Sequence, residues 1–187
     1  MAKKSSATSQ SHDALELLKA DHKHVLQLFA EFEKMDKEDE DARRELVERV
    51  CNQLTVHAEI EEELFYPALR DVVDEQDLLN EAQVEHDMAK QLIADLESME
   101  PDEDLYDAKF TVLGEYVRHH VEEEEKEIFA RAKKAKLDLD TIGADMFDRK
   151  KELMAEFGMD IDEEMMQDAQ IGEKKSSGKA ARHPRAH

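Results

Sequence analysis

Two stretches of this chain repeat two others, and each repeat begins at a histidine. HKHVLQLFAEFE from His22 parallels HDMAKQLIADLE from His86, and HAEIEEELF from His57 parallels HVEEEEKEIF from His120. Each copy therefore carries one isolated histidine and, further along, a histidine followed four residues later by a glutamate. Because two equivalent helical units must meet around these polar side chains, the duplication predicts two equivalent metal ions held between helices. The two glutamates are Glu61 and Glu124.

Composition favours a single all-α domain. The 187 residues include only five glycines and three prolines, and strong helix formers are abundant. The net charge of −22 opposes binding to nucleic acid or to anionic membranes. No apolar run approaches the roughly 20 residues of a membrane span, no secretory signal is recognisable, and Cys51 is the single cysteine. We expect a cytoplasmic protein without nucleic-acid or membrane partners.

Four amphipathic segments separated by short acidic turns predict the architecture. This spacing is typical of an up-down-up-down four-helix bundle, here with a short additional C-terminal helix. Pro67 lies late in the second segment and predicts a kink or an early end there. We expect the polar residues 1–11 and 159–187 to be disordered tails around a domain of residues 12–158. The predicted helices cover approximately residues 12–35, 40–70, 75–99, 103–136 and 139–156, the last ending near Gly158.

The histidines of the repeat fall on the predicted apolar seams. His22 and His86 have identical offsets from the apolar residues of their segments. His120 continues the apolar stripe of its segment, whereas His119 lies beside that stripe. At roughly 1.5 Å per residue, the four histidines and two glutamates of the repeat reach one level near the middle of the bundle. Six polar groups at that depth would be costly without a bound cation.

Other conspicuous side chains are assigned to packing or to solvent. Tyr116 precedes His120 by one helical turn and is expected to pack, although its hydroxyl could donate a hydrogen bond near a metal ligand. Gly114 is likewise assigned to helix packing. The acidic runs predict solvated outer faces, formed by Glu59, Glu62, Glu63, Glu122, Glu123 and Glu125.

The predicted donor set consists of imidazoles and carboxylates without a thiolate. Such a set suits iron, manganese or zinc, and the residues alone leave that choice open. Each half supplies three ligands, so bridging carboxylates would let the two ions share both glutamates. The His-xxx-Glu spacing differs from the Glu-x-x-His motif of ferritin-like bundles.

Four motifs of the chain resemble one known family. ADHKHVLQLF, HAEIEEELFYPAL, VEHDMAKQLI and HHVEEEEKEIF resemble the hemerythrin-like HHE cation-binding domain family over roughly residues 12–155. The resemblance implies a four-helix bundle with a non-haem di-iron site, two ions per chain, joined by an oxo or hydroxo bridge. The implied iron ligands are His22, His57, Glu61, His86, His120 and Glu124, with both glutamates bridging.

The chain departs from the oxygen-carrying hemerythrins of animals at two positions. Those proteins have a further histidine where this chain has Lys90, and a HxxxxD motif in the last helix where this chain has His120-xxx-Glu124. Fewer protein ligands imply more open coordination positions, which favours dioxygen, peroxide or nitric oxide as ligands in oxidative or nitrosative stress. A peroxide-consuming or nitric-oxide-related activity would follow. The alternatives are an oxygen or iron sensor or store without turnover, and a structural bundle with an incidental metal.

Overall fold

The computed structural model describes residues 13–74 and 76–161, and every regular element among them is helical. The predicted tail 1–11 and most of the predicted tail 159–187 lie outside these residues. No helix in the described part of the chain combines the length and the apolar character that crossing a membrane requires. The α-helices are α1 Ala14–Phe32, α2 Glu40–Ile60, α3 Tyr66–Arg70, α4 Gln76–Glu97, α5 Tyr106–Glu123, α6 Phe129–Ala135 and α7 Leu139–Glu156.

The additional C-terminal helix, α7, has the predicted range and well-defined ends. The Asp138 side chain accepts a hydrogen bond from the backbone N–H of Thr141 at 3.1 Å, which caps the first turn. Beyond the last turn Gly158 adopts a φ of 70°, and the N–H of Met159 donates to the carbonyl of Met154 at 2.9 Å. A left-handed glycine with this hydrogen bond is a common helix terminus, because glycine has no Cβ to oppose the conformation.

Two π-helical turns interrupt the long helices. α2 passes into π1, Glu61–Phe65, before α3, and α5 passes into π2, Glu124–Ile128, before α6. The sequence analysis predicted a kink or an early end near Pro67 in the second segment and uninterrupted α-helix in the fourth, and it predicted neither π turn, so this is a correction. Pro67 is not the cause, because Ala130 occupies its position in the second copy and the same turn forms there. Both π turns begin at the glutamate of a His-xxx-Glu pair, and such turns occur frequently at functional sites.

Two apolar clusters enclose a polar layer. Along α1, Ala14 to Leu18 belong to the first cluster, and Val25 to Phe32 belong to the second. His22 lies between them in the chain and is buried. The first cluster also contains side chains of the end of α2, of α3, of the beginning of α4, of α6 and of α7, whereas the second joins α1 to α2, to the end of α4 and to α5. The polar layer is thus fixed between two packed regions.

Gly114 permits a close approach of α5 to α1. A Cβ atom at this position would lie 2.9 Å from Cδ1 of Phe29, whose ring is held by Phe110 at a centroid distance of 4.8 Å. We expect Gly114→Ala to lower the free energy of unfolding by about 1–2 kcal/mol, because overpacking outweighs the gain in helix propensity. Urea denaturation measures the effect. If the Phe29 ring causes the loss, adding Phe29→Leu will restore part of the stability of the alanine variant. Losses of unfolding free energy that simply add in the double variant would contradict this cause.

Candidate metal centre

The structure brings all six predicted site residues into the polar layer. Candidate ligand atoms of His22, His57, Glu61 and Glu124 lie within 4.8 Å of one another, and those of Glu61, His86 and His120 form a second such group. Glu61 belongs to both groups. All six side chains are buried, and Glu61 is 0 % exposed. Their role as metal ligands stays a prediction, and the structure shows that their candidate ligand atoms lie close enough together to share an ion.

The four histidines form two facing pairs. Nε2 of His22 lies 3.1 Å from Nε2 of His57, and Nε2 of His86 lies 3.2 Å from Nε2 of His120. The first pair joins α1 to α2, and the second joins α4 to α5. Each half of the duplication therefore contributes one imidazole pair.

A carboxylate lies at the other nitrogen of each histidine. In each copy, the acid that precedes the isolated histidine contacts Nδ1 of the histidine in the His-xxx-Glu pair. The Nδ1···O distances are 3.5 Å for His57 and Asp21 and 2.8 Å for His120 and Glu85. The acid that follows the glutamate of each His-xxx-Glu pair contacts Nδ1 of the isolated histidine of the other copy. These pairs are His22 with Glu125 at 3.0 Å and His86 with Glu62 at 2.9 Å.

These four acids were missed or misassigned in the sequence analysis. Glu62 and Glu125 were predicted to be solvated, which is wrong for Glu62, 21 % exposed, whereas Glu125 is 38 % exposed; both contact histidines. The available signal was the duplication itself, because an acid occupies equivalent positions in both copies: Asp21 and Glu85 before the isolated histidine, and Glu62 and Glu125 after the glutamate.

The acids determine which ring nitrogens carry protons. A carboxylate accepts the Nδ1–H of each imidazole, and a neutral ring then presents a lone pair at Nε2. Two such lone pairs face one another across about 3 Å in each pair. The arrangement is repulsive unless a cation or a proton lies between the nitrogens, so these imidazoles are suited to bind metal.

The two central carboxylates are incompletely satisfied. Oε1 of Glu61 and Oε2 of Glu124 are buried and have no hydrogen-bond partner among the described residues. Burial and the charge of Glu124 raise the pKa of Glu61 well above its ordinary value. The buried Tyr66 hydroxyl donates to Oε1 of Glu124 at 3.1 Å and lies 3.5 Å from Oε2 of Glu61. Buried, unpaired carboxylate oxygens between imidazoles are what a site for hard or borderline divalent cations requires.

The charge of Glu124 dominates the titration of the His22–His57 pair in the metal-free protein. Burial alone would lower the pKa of His22, but its ion pair with Glu124, whose Oε2 lies 3.2 Å from Nε2 of His22, raises it to about 9. Burial, with a further contribution from the charge of His22, lowers the pKa of His57 to about 4 despite Asp21. A proton on His22 thus provides the positive charge that a metal would otherwise supply.

An aromatic ring packs on each isolated histidine, and the two rings differ because one is a phenylalanine and the other a tyrosine. Phe129 stacks on His22 at a centroid distance of 6.0 Å, and its counterpart Tyr66 stacks on His86 at 5.6 Å. The sequence analysis considered Tyr116 instead, which is 39 % exposed. No sequence signal indicated Tyr66; the π1 turn places it, because its backbone N–H donates to the carbonyl of Glu61.

Two lysines pair with the acids that hold the histidines. Nζ of Lys90 lies 2.7 Å from both carboxylate oxygens of Glu62. Lys90 therefore contacts an acid beside the site instead of replacing the absent histidine. Nζ of Lys150, from α7, lies 2.6 Å from Oδ1 of Asp21 and is buried. No sequence signal indicated Lys150, since only the packing of α7 brings it to the site.

A cleft of about 530 Å³, part of it open to solvent, reaches the two histidine pairs. All four histidines line it, and the remaining walls are largely apolar. Lys90 and Tyr116 also border it. Small molecules could thus reach the histidines past walls that disfavour bulk water. The main apolar lining residues are Val25, Leu54, Ile93 and Val117.

Comparisons with known proteins show the family and the fold of this chain. The family described as Hemerythrin HHE cation binding domain matches residues 13–132. A protein named DNA nickase from Nostoc sp. is 29% identical over 121 residues, which are 65% of this chain and 34% of that protein. This chain thus spans about a third of that relative. A crystal structure of a hemerythrin HHE cation binding domain-containing protein from Mycobacterium kansasii has a TM-score of 0.67 and 23% identity, covering 77% of this chain and 88% of that one.

Proposed function

Because this chain belongs to the hemerythrin HHE cation-binding family, we propose that its buried layer holds two iron ions that bind dioxygen, peroxide or nitric oxide. The observation that carries the proposal is the pair of facing imidazole pairs, whose Nε2 atoms are 3.1 and 3.2 Å apart. Four carboxylates at the Nδ1 atoms direct these lone pairs inward.

The proposed ligands are the six residues of the duplicated motif. The His22–His57 pair would hold one ion and the His86–His120 pair the other. Glu61 belongs to both groups of candidate ligand atoms, which supports a bridging role. Glu124 belongs to the first group, where its Oε2 lies 3.2 Å from Nε2 of His22, and its bridging role rests on the family resemblance. An oxo or hydroxo bridge would complete the pair.

When bound, a pair of iron ions supplies adjacent redox centres that can bind and reduce small oxygen or nitrogen-oxide species. The chain's own residues control access and protons. The apolar walls of the cleft exclude bulk water from the histidines. The Tyr66 hydroxyl, 3.1 Å from Oε1 of Glu124, can hold or donate a proton at the centre. Lys90 borders the cleft, but its ammonium group is paired with Glu62 at 2.7 Å.

The finer structural assignments accompany this proposal. We propose that α1, α2, α4 and α5 with their continuations form the up-down-up-down bundle, in a domain of residues 12–158. Consecutive long helices share apolar clusters across short connections, which supports this arrangement. A cytoplasmic location is in keeping with the buried free thiol of Cys51.

The relative named DNA nickase does not lead us to propose a DNA partner. The aligned part is 34% of that protein, so its named activity can depend on regions that this chain does not match. The net charge of −22 opposes contact with a polyanion. A sensing or storage role without turnover stays the second candidate, because a cleft that admits a ligand to the site is compatible with reversible binding.

Metal analysis followed by addition of peroxide tests the proposal. We expect about two iron ions per chain after anaerobic reconstitution, near-ultraviolet absorption from an oxo- or hydroxo-bridged pair, and oxygen evolution or peroxide loss above that of free iron. A spectrum that responds to oxygen and reverses under argon, without peroxide loss, would favour the carrier or sensor. Colourless protein that retains zinc in preference to iron would contradict the di-iron assignment.

A further inference from the structure

The two halves of the duplication differ sharply at one place on the surface. When His57 is aligned with His120, Val56 corresponds to His119 and Ile60 corresponds to Glu123. Val56 and Ile60 are buried in the first apolar cluster, which includes side chains of α7. His119 and Glu123 are exposed instead. The first half is thus closed by apolar packing where the second half presents polar side chains.

The exposed side chains form a group that could hold a cation. One ligand atom each from Glu85, His119 and Glu123 lies within 4.8 Å of the others, and Nε2 of His119 is 3.9 Å from Oε2 of Glu123. Glu85 also accepts the Nδ1–H of His120 at 2.8 Å. Glu85 therefore belongs to this outer group and contacts a proposed ligand of the inner site.

A crevice connects the outer group to the buried site. It has a volume of about 250 Å³, including space open to solvent, and Glu81, Glu85 and Glu123 line it with His120 and Glu124. Glu81 and Glu123 are exposed, whereas His120 and Glu124 are buried. Glu124 is 1 % exposed, and its Oε2 has no hydrogen-bond partner among the described residues. This oxygen lies 3.2 Å from Nε2 of His22 without a hydrogen bond, so the crevice ends at a buried carboxylate that can still accept a cation.

The chemistry of the crevice differs from that of the large cleft. Apart from Glu85, Lys90 and the four histidines the cleft has mainly apolar walls, which give a hydrated cation little in exchange for the water it loses. The crevice offers carboxylate oxygens along its length, and these are favoured ligands of hard and borderline divalent ions. The two openings are thus suited to different species, small oxygen or nitrogen-oxide ligands in one and metal ions in the other.

We propose that Glu85, His119 and Glu123 form a transient docking site for a divalent cation, ferrous iron in particular, from which the ion enters the crevice and reaches Glu124. This inference rests on the proposed di-iron function, since it assigns a loading route to that centre. The carboxylates attract the hydrated ion, and His119 supplies a nitrogen donor. Exposure of the group keeps the binding weak, so that the ion can leave toward the buried site.

Uptake kinetics of the metal-free full chain test the route. Ferrous iron is mixed anaerobically with the protein, and unbound ion is trapped at increasing times with a chromogenic chelator. We expect the His119→Ala, Glu123→Gln double variant to take up iron about five- to tenfold more slowly than wild type, because local attraction is lost. The final iron content should be unchanged, because neither residue belongs to the buried site.

Glu122→Gln is the matched control, because it removes the same charge from an exposed neighbour that does not line the crevice. Equal initial rates for the double variant and this control would overturn the route. A lower final iron content in the double variant would also overturn it, because the residues would then belong to the resident centre. Wild-type protein that takes up no iron would instead remove the di-iron proposal and this inference with it.

A binding measurement tests the docking site without uptake. After the buried site is filled with zinc and excess metal is removed, a small amount of Mn²⁺ should broaden the ring resonances of His119 in the NMR spectrum. Glu123→Gln should weaken this broadening severalfold, and Glu123→Asp should restore most of it. Broadening that Glu123→Gln leaves unchanged would contradict docking at this group.

Discussion

Replacing Glu61 or Glu124 with glutamine should reduce bound iron from about two ions per chain to less than one. Each residue belongs to a group of candidate ligand atoms within 4.8 Å, and each has a buried oxygen without a hydrogen-bond partner. Glutamine keeps the shape but loses the charge that compensates a divalent ion, so affinity should fall at least tenfold. Elemental analysis after anaerobic reconstitution and desalting measures the result.

The two substitutions should differ in their effect on the metal-free fold. The pKa of Glu61 is raised by burial and by the charge of Glu124, so Glu61→Gln imitates a protonated side chain and should preserve the melting temperature. Glu124 keeps its charge, because contacts with His22 overcome burial and lower its pKa to about 2. Glu124→Gln removes that partner from His22 and should destabilise the apoprotein.

The exposed Glu122 provides the control for metal content, since Glu122→Gln removes one nearby charge outside the polar layer. Full iron content in both Glu61→Gln and Glu124→Gln would show that the ligand assignment is wrong. A variant that loses iron because it unfolds does not test the ligand role of its residue. Thermal melting of both variants identifies such a case, and the ligand assignment is then tested by the variant that stays folded.

The long helices and the convergence of the six side chains could be predicted because they follow from helical periodicity and duplication. His22 and His86 occupy identical positions on their seams, and the seams must face one another to bury their apolar residues. The helix limits differed by up to three residues, as at the start of α5, Tyr106, where side-chain capping is absent. Such errors are expected where local signals are weak.

The features that the sequence did not predict depend on tertiary packing. A residue next to Glu61 is expected about 100° around the helix and away from the seam, which is why Glu62 was assigned to solvent. In the folded chain α4 covers that flank, and Glu62 reaches His86. The π turns give no periodic signal of their own. Lys150 lies in α7, which is outside both copies of the repeat, so the repeat pattern could not indicate it.

Raising the pH from 6.5 to 9 should destabilise the metal-free protein, and bound metal should remove this dependence. The pKa of His22 is about 9 in the folded chain against an ordinary 6.5. A raised pKa contributes stability that is complete below 6.5 and is lost as the pH rises through 9. The raised pKa of Glu61 also makes the folded protein less stable as the pH rises. With about 1.4 kcal/mol per pKa unit, the loss from His22 is on the order of 3 kcal/mol.

Metal binding should displace the same proton, because the ion occupies the Nε2 atom that holds it. Between pH 7 and 8 we expect calorimetric titrations in buffers of different ionisation enthalpy to show release of more than one proton, from His22 and from Glu61, whose pKa is also raised. His22→Gln should reduce the pH-dependent loss of apoprotein stability, whereas His119→Gln should retain it in full, because the His119 side chain is 61% exposed. Metal-free wild type whose stability is constant from pH 6.5 to 9 would contradict the proposed exchange of a proton for a metal ion at the facing imidazoles.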